Sequence, residues 1–130
     1  MLEPAINWKE VIDSLKKGVV VIDTGGIIRH VNPAMMGLTG YGADELLGNS
    51  CAIFECSCCN SRQSRGGRWC TPFSPGKSTK PVFCKINCKS GFPLEVVRQA
   101  SLLYDAKSVT LGAVETFVPA TIRMLPSFSI

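Results

Sequence analysis

Residues 18–48 read GVVVIDTGGIIRHVNPAMMGLTGYGADELLG, and the order of signals in this stretch decides the fold class. Val19 to Asp23 is a β-branched run, Ile27 to Val31 is a second, and Thr24-Gly25-Gly26 lies between them. Two such runs around a glycine-bearing turn predict an antiparallel hairpin. Asn32 stands where a helix N-cap belongs, with Pro33 at the first helical position. Ala34, Met35, Met36 and Leu38 continue a short helix that Gly40 stops. A second helical fragment is expected from Ala43 to Leu47, ending at Gly48.

Upstream, residues 7–17 predict an amphipathic helix. Asn7 is its N-cap, and Glu10 follows three positions later as in a capping box. Trp8, Val11, Ile12 and Leu15 fall on one face. Lys16 and Lys17 suit the negative end of the helix dipole, and Gly18 suits a left-handed C-cap. Downstream, Val82 to Cys88, Phe92 to Tyr104 and Val109 to Val118 read as strands, joined by turns at Lys89-Ser90-Gly91 and Asp105 to Ser108. Arg98 and Gln99 interrupt the apolar pattern of the long strand, so at least one polar side chain is expected to face the interior. Five antiparallel strands with the helices gathered on one side make an α+β domain.

The chain of 130 residues is 45% hydrophobic and 18% charged, enough for one core and too short for two ordinary domains. No apolar run is long enough to span a membrane. The first ten residues lack the basic and apolar regions of a signal peptide, so a cytoplasmic protein is expected.

Residues 49–79 have no clean period and hold five of the seven cysteines, which are Cys51, Cys56, Cys58, Cys59, Cys70, Cys84 and Cys88. An odd count without an export signal argues against a disulfide framework. Such a weakly structured segment needs another source of order, and a bound metal would supply one. Cys56-Ser57-Cys58-Cys59 contains the two-residue spacing that lets two thiolates reach one tetrahedral ion. Soft thiolates select zinc, iron–sulfur clusters or copper(I) over hard ions. From Cys56 to Leu94 there is no acid, while Arg62, Arg65, Arg68, Lys77, Lys80, Lys85 and Lys89 all fall there. That surround would offset the negative charge of a thiolate site. Cys58 or Cys88 could substitute for other ligands, and buried or reactive thiols or a regulated disulfide are the alternatives.

The two long strings GVVVIDTGGIIRHVNPAMMGLTGYGADELLG and CKSGFPLEVVRQASLLYDAKSVTLGAVETF resemble a PAS domain over about residues 7–118, with Asn32-Pro33, Thr39-Gly40-Tyr41 and Leu47-Gly48 as signposts. The resemblance implies a PAS fold: a five-stranded antiparallel sheet, short helices on one side and an N-terminal amphipathic helix. Residues 1–6 and 119–130 would be tails, the latter beginning a signalling linker. Ala52 to Cys84 followed by GAVETF is similar to a cysteine-bearing PAS subgroup at the N-terminus of sigma-54-dependent transcriptional regulators and of sensor histidine kinases. That likeness implies a site of Cys56, Cys59, Cys70 and Cys84 holding zinc or an iron–sulfur cluster. The PAS resemblance also implies a pocket for an unidentified small ligand, with Met35, Met36, Leu38 and Arg98 as candidates, and a homodimer through the N-terminal helix. The effector, a kinase or a sigma-54-activator domain, would lie elsewhere in a full-length protein.

Catalysis is not expected. His30 is the only histidine, so no Ser–His–Asp set is available around a convergent site, and the bland expectation for it is a satisfied strand histidine. Asp44-Glu45 occupy adjacent helical positions and do not face each other. Gly25-Gly26 lacks the spacing of a phosphate-binding loop. The basic run with Trp69 and Phe73 allows a nucleic-acid-binding module as an alternative, and a purely structural dimerisation domain is another.

Overall fold

The computed structural model describes residues 5–57 and 80–120. In chain order they form helix α1 (Trp8–Asp13), strands β1 (Gly18–Asp23) and β2 (Ile28–Val31), helices α2 (Pro33–Thr39) and α3 (Ala43–Leu46), a 3-10 turn (Cys51–Phe54), and strands β3 (Val82–Asn87), β4 (Pro93–Tyr104) and β5 (Thr110–Pro119). The strands make one sheet in the order β2-β1-β5-β4-β3, antiparallel throughout. The first and last of the described strands thus lie side by side in the sheet, and among the described residues β3 is an edge strand.

The sheet has an inner face, covered by α2, α3 and the 3-10 turn. Val96 of β4, Ala113 and Phe117 of β5, Val20 and Ile22 of β1, and Cys84 and Ile86 of β3 join Met35, Leu46 and Phe54 in one buried cluster. The period-2 alternation of side chains puts the intervening residues Val97, Gln99, Thr116 and Val118 on the other face. β1 is the exception. Val19, Val20, Val21 and Ile22 are all buried, which is why it reads as a continuous apolar run rather than an alternating one.

Asn32 holds the first half together. Its Oδ1 accepts from the Met35 amide at 3.0 Å, which is the predicted cap, and also from the Val19 amide at 2.9 Å. Its Nδ2 donates to the carbonyls of Ile12 at 3.0 Å and Lys17 at 2.8 Å. One buried amide therefore caps α2, satisfies the start of β1 and fastens the α1 connection. Gly40 ends α2 in the left-handed conformation, φ 83°.

The first helix differs from the sequence expectation. It spans six residues and closes at Ser14, not at Gly18, and it buries no residue. Ser14 Oγ donates to the Val11 carbonyl at 2.6 Å, and such local bonding competes with helix continuation. Lys16 and Lys17 lie beyond the last turn. Gly18 opens β1 instead of capping α1. A Cβ there would meet Met35 Sδ at 2.8 Å, so the glycine admits α2 to close contact with the sheet.

Candidate thiol site

The 3-10 turn places Phe54 in the core, against Phe117 and Tyr41 with ring centroids 6.1 and 6.2 Å apart. Glu55 follows in the left-handed conformation at φ 47°, which a non-glycine residue adopts at a cost. That reversal sends the chain to the edge of β3 away from β4. The Ser57 amide donates to the Lys85 carbonyl at 2.8 Å, and the Lys85 amide donates to Ser57 Oγ at 2.9 Å. These two bonds fix Cys56 opposite Cys84, and the two Sγ atoms lie 3.0 Å apart across 28 residues of sequence. Cys84 is buried and Cys56 half-buried.

Two sulfurs bound tetrahedrally to one zinc at ~2.3 Å stand about 3.8 Å apart, so this pair, at 3.0 Å, would have to open by about 0.8 Å to share one ion. Both donors are soft, which fits zinc, iron–sulfur or copper(I). When bound, such a group would cross-link the 3-10 turn to the edge strand. Cys58, Cys59 and Cys70 lie outside the described residues. Among the described residues no cluster of three or more metal-ligating side chains forms. Cys88, four residues beyond Cys84, does not join the pair. Its Sγ reaches the Leu38 carbonyl at 3.6 Å, and its amide closes the β3–β4 turn on Phe92. Cys51 is half-buried and packs against the core.

A cleft of about 460 Å³ adjoins Cys84 at the sheet edge, lined by Ser57, Phe83, Cys84, Lys85, Glu95 and Val96. Lys85 and Glu95 are cross-strand partners there. Of the interior pocket candidates, Met35 is wholly buried core, and Met36 and Leu38 are partly buried beside it. Arg98 is buried, whereas its neighbour Gln99 is exposed. Arg98 is met by a residue the sequence reading missed. Glu115 of β5 is equally buried, and its Oε2 accepts from Arg98 Nη2. The signal was available, because Glu115 breaks the alternation between Ala113 and Phe117 as Arg98 does between Val96 and Ala100.

The remaining singled-out residues have structural roles. His30 Nε2 lies 2.9 Å from Asp13 Oδ1, and its ring meets Trp8 edge-on at 5.3 Å. Glu45 accepts from the Gly42 amide at 2.9 Å and pairs with Lys89 at 2.8 Å. Those two contacts hold its carboxyl below the usual range. Gly25-Gly26 is the β1–β2 turn, held by Asp23 Oδ1 accepting from the amides of Gly25 and Ile27. In the basic run, Arg62, Arg65, Arg68, Trp69, Phe73 and Lys77 lie outside the described residues.

Comparison with known proteins agrees with this architecture. The family model of the PAS fold matches residues 7–116. No curated protein matches. Among solved structures, the chain is similar to the PAS domain of an HTR-like protein from Haloarcula marismortui, at 15% identity and TM-score 0.67, covering 87% of this chain and 94% of that one. It is also similar to a domain of a sensory box sensor histidine kinase/response regulator from Geobacter sulfurreducens, at 19% identity and TM-score 0.63, covering 85% and 90%. The dark structure of the blue-light photoreceptor Aureochrome1 LOV matches at 16% identity and TM-score 0.67, covering 99% and 94%.

Proposed function

The chain belongs to the PAS fold family, and from that premise we propose that it is a non-catalytic sensing module whose signal enters at the Cys56/Cys84 site. Such modules sense and relay. The carrying observation is the 3.0 Å approach of two sulfurs from separate segments, built by a left-handed turn at Glu55 and two hydrogen bonds to the β3 edge. With Cys59 and Cys70 completing the donor set, the site would take zinc or an iron–sulfur cluster. Cys58 remains a substitute, and a regulated dithiol is the alternative occupant-free chemistry. Gain, loss or oxidation at this point would alter how the 3-10 turn is tied to the sheet. The interior around Met35, Met36, Leu38 and Arg98 is the place for a small ligand.

The effector would be a sensor kinase or a sigma-54-dependent activator in the cytoplasm of a bacterium. No helix among the described residues is long and apolar enough to cross a membrane. The module would act as a homodimer. Trp8, Val11 and Leu15 of the α1 region stay about half exposed, leaving an apolar stripe for a second copy.

Metal analysis and the visible spectrum of untagged protein purified without oxygen test the site. About one zinc per chain without colour, or iron with sulfide and broad absorption, is expected, and Cys84→Ser should abolish either. A folded wild-type protein containing neither metal, with no change on thiol oxidation, would sink the proposal.

A further inference from the structure

The sulfurs of Cys56 and Cys84 stand 3.0 Å apart. A disulfide holds its sulfurs at about 2.05 Å, so the pair has about 1 Å to close. Sharing a tetrahedral zinc takes an opening of about 0.8 Å instead. The reduced pair stands between these two states and enters one at a time, because each state uses both sulfurs.

The backbone around the pair is already set. Phe54 is anchored in the core, Glu55 turns the chain, and Ser57 bonds Lys85 through both its amide and its hydroxyl. Two reacting groups held in place this way avoid the entropy loss of a bimolecular step. The thiols differ in access. Cys84 is 6% exposed, whereas Cys56 is half-buried. Reaction with a solute therefore starts at Cys56, and a small oxidant reaches it more readily than a bulky one. A sulfenic acid formed there faces the Cys84 sulfur rather than the other described thiols. Cys51 packs against the core, and Cys88 lies against the Leu38 carbonyl.

We propose that Cys56 and Cys84 form a reversible disulfide in response to a hydroperoxide, with Cys56 the thiol that reacts first and Cys84 the one that resolves it. This rests on the reading that the signal enters at this site, and it names the chemical class of that signal. The Cys56 sulfur attacks one peroxide oxygen. An S–O bond forms, the O–O bond breaks, and the departing oxygen takes the Cys56 proton to leave as water or an alcohol. The Cys84 sulfur then attacks the Cys56 sulfur. The S–S bond forms, the S–O bond breaks, and hydroxide leaves with the Cys84 proton as water. The peroxide gains two electrons, and each sulfur gives up one. A dithiol reductant reverses the bond by exchange. The bond clamps the 3-10 turn to β3. Phe54, two residues before Cys56, lies against Phe117 of β5, so the clamp bears on a second strand as well.

The experiment adds hydrogen peroxide in stoichiometric steps to the full chain, as purified and after chelation. Remaining thiols are alkylated, and peptides are mapped without reduction. Circular dichroism checks the folding of each protein. Chelated wild type should lose two thiols and gain one Cys56–Cys84 link, which dithiothreitol removes. Cys84→Ser should stop at a Cys56 sulfenic acid that a cyclic dione traps. Cys56→Ser should leave Cys84 reacting roughly tenfold or more slowly. A link between other cysteines, or Cys56 and Cys84 both still alkylated after peroxide, overturns the proposal. Both of those outcomes are read on wild type, so a variant that does not fold leaves the test decisive. Zinc bound by the purified chain and absent from Cys84→Ser, with no such link after chelation, overturns the disulfide and leaves the thiol site standing. A wild type with neither metal nor link overturns both.

Discussion

At the scale of single residues, buried polar groups do the most specific work. Asn32 is wholly buried and serves β1, α2 and the α1 connection with one side chain. Asn32→Ala removes the side-chain acceptor of the Val19 and Met35 amides and the donor to the Ile12, Leu15 and Lys17 carbonyls, and should cost about 2–4 kcal/mol in urea unfolding. Glu55 is the opposite case, a residue in a conformation that suits glycine. Glu55→Gly should leave stability unchanged or raise it by up to ~1 kcal/mol, while Glu55→Val should lower it. Asp23 gives a pH signature. Partial burial raises its carboxyl, but hydrogen bonds from Ile27, Arg29 and Gly25 and the Arg29 charge together outweigh that and set it below 3.8. Its contribution is therefore complete above about pH 4 and lost as pH falls through the lower folded value. The stability gap between wild type and Asp23→Asn should be flat from pH 7 to 5 and close in acid.

At the scale of elements, α1 and β5 are the extremes. α1 buries nothing and is held by Asn32 and by His30 meeting Asp13 and Trp8. β5 pairs on both sides with β1 and β4. Native-state hydrogen exchange should show the Val11 and Ser14 amides opening far more readily than those of Val114 and Thr116. If α1 is the dimer contact, its exchange should slow as protein concentration rises. Trp8→Ser with Val11→Ser should convert a dimer to a monomer by light scattering without unfolding it, since neither side chain is buried.

For the whole molecule, the thiol site closes a 28-residue loop between the 3-10 turn and the sheet edge. A cross-link of that span stabilises by about 3–4 kcal/mol in the chain-entropy account. Metal-loaded protein should therefore melt on the order of 10 °C above the chelated form. Cys84→Ser should melt at one temperature with or without chelator. Equal melting of loaded and chelated wild type would mean that the metal does not bridge these segments.

The sequence by itself determined the hairpin, the Asn32 cap, the five strands in order and the inward turn of one polar residue on β4. These follow from local chemistry: β-branched runs, turn glycines, an amide ahead of a proline, and period-2 alternation. Tertiary structure decided the rest. Ser14 bonding back to Val11 ended α1 early, and the approach of Met35 to Gly18 turned an expected cap into the start of a strand. The two-residue spacing to Cys59 singled out Cys56 in the sequence, but only the turn at Glu55 and the Ser57–Lys85 bonds at the edge of β3 set its sulfur 3.0 Å from that of Cys84. Arg98 finds Glu115 because β4 and β5 pair with Arg98 opposite Phe117, two residues from Glu115 on the same face. Local strings encode which conformation each segment prefers, but partners far apart in the chain are chosen by strand register and by the few ways a buried charge or thiol can be satisfied.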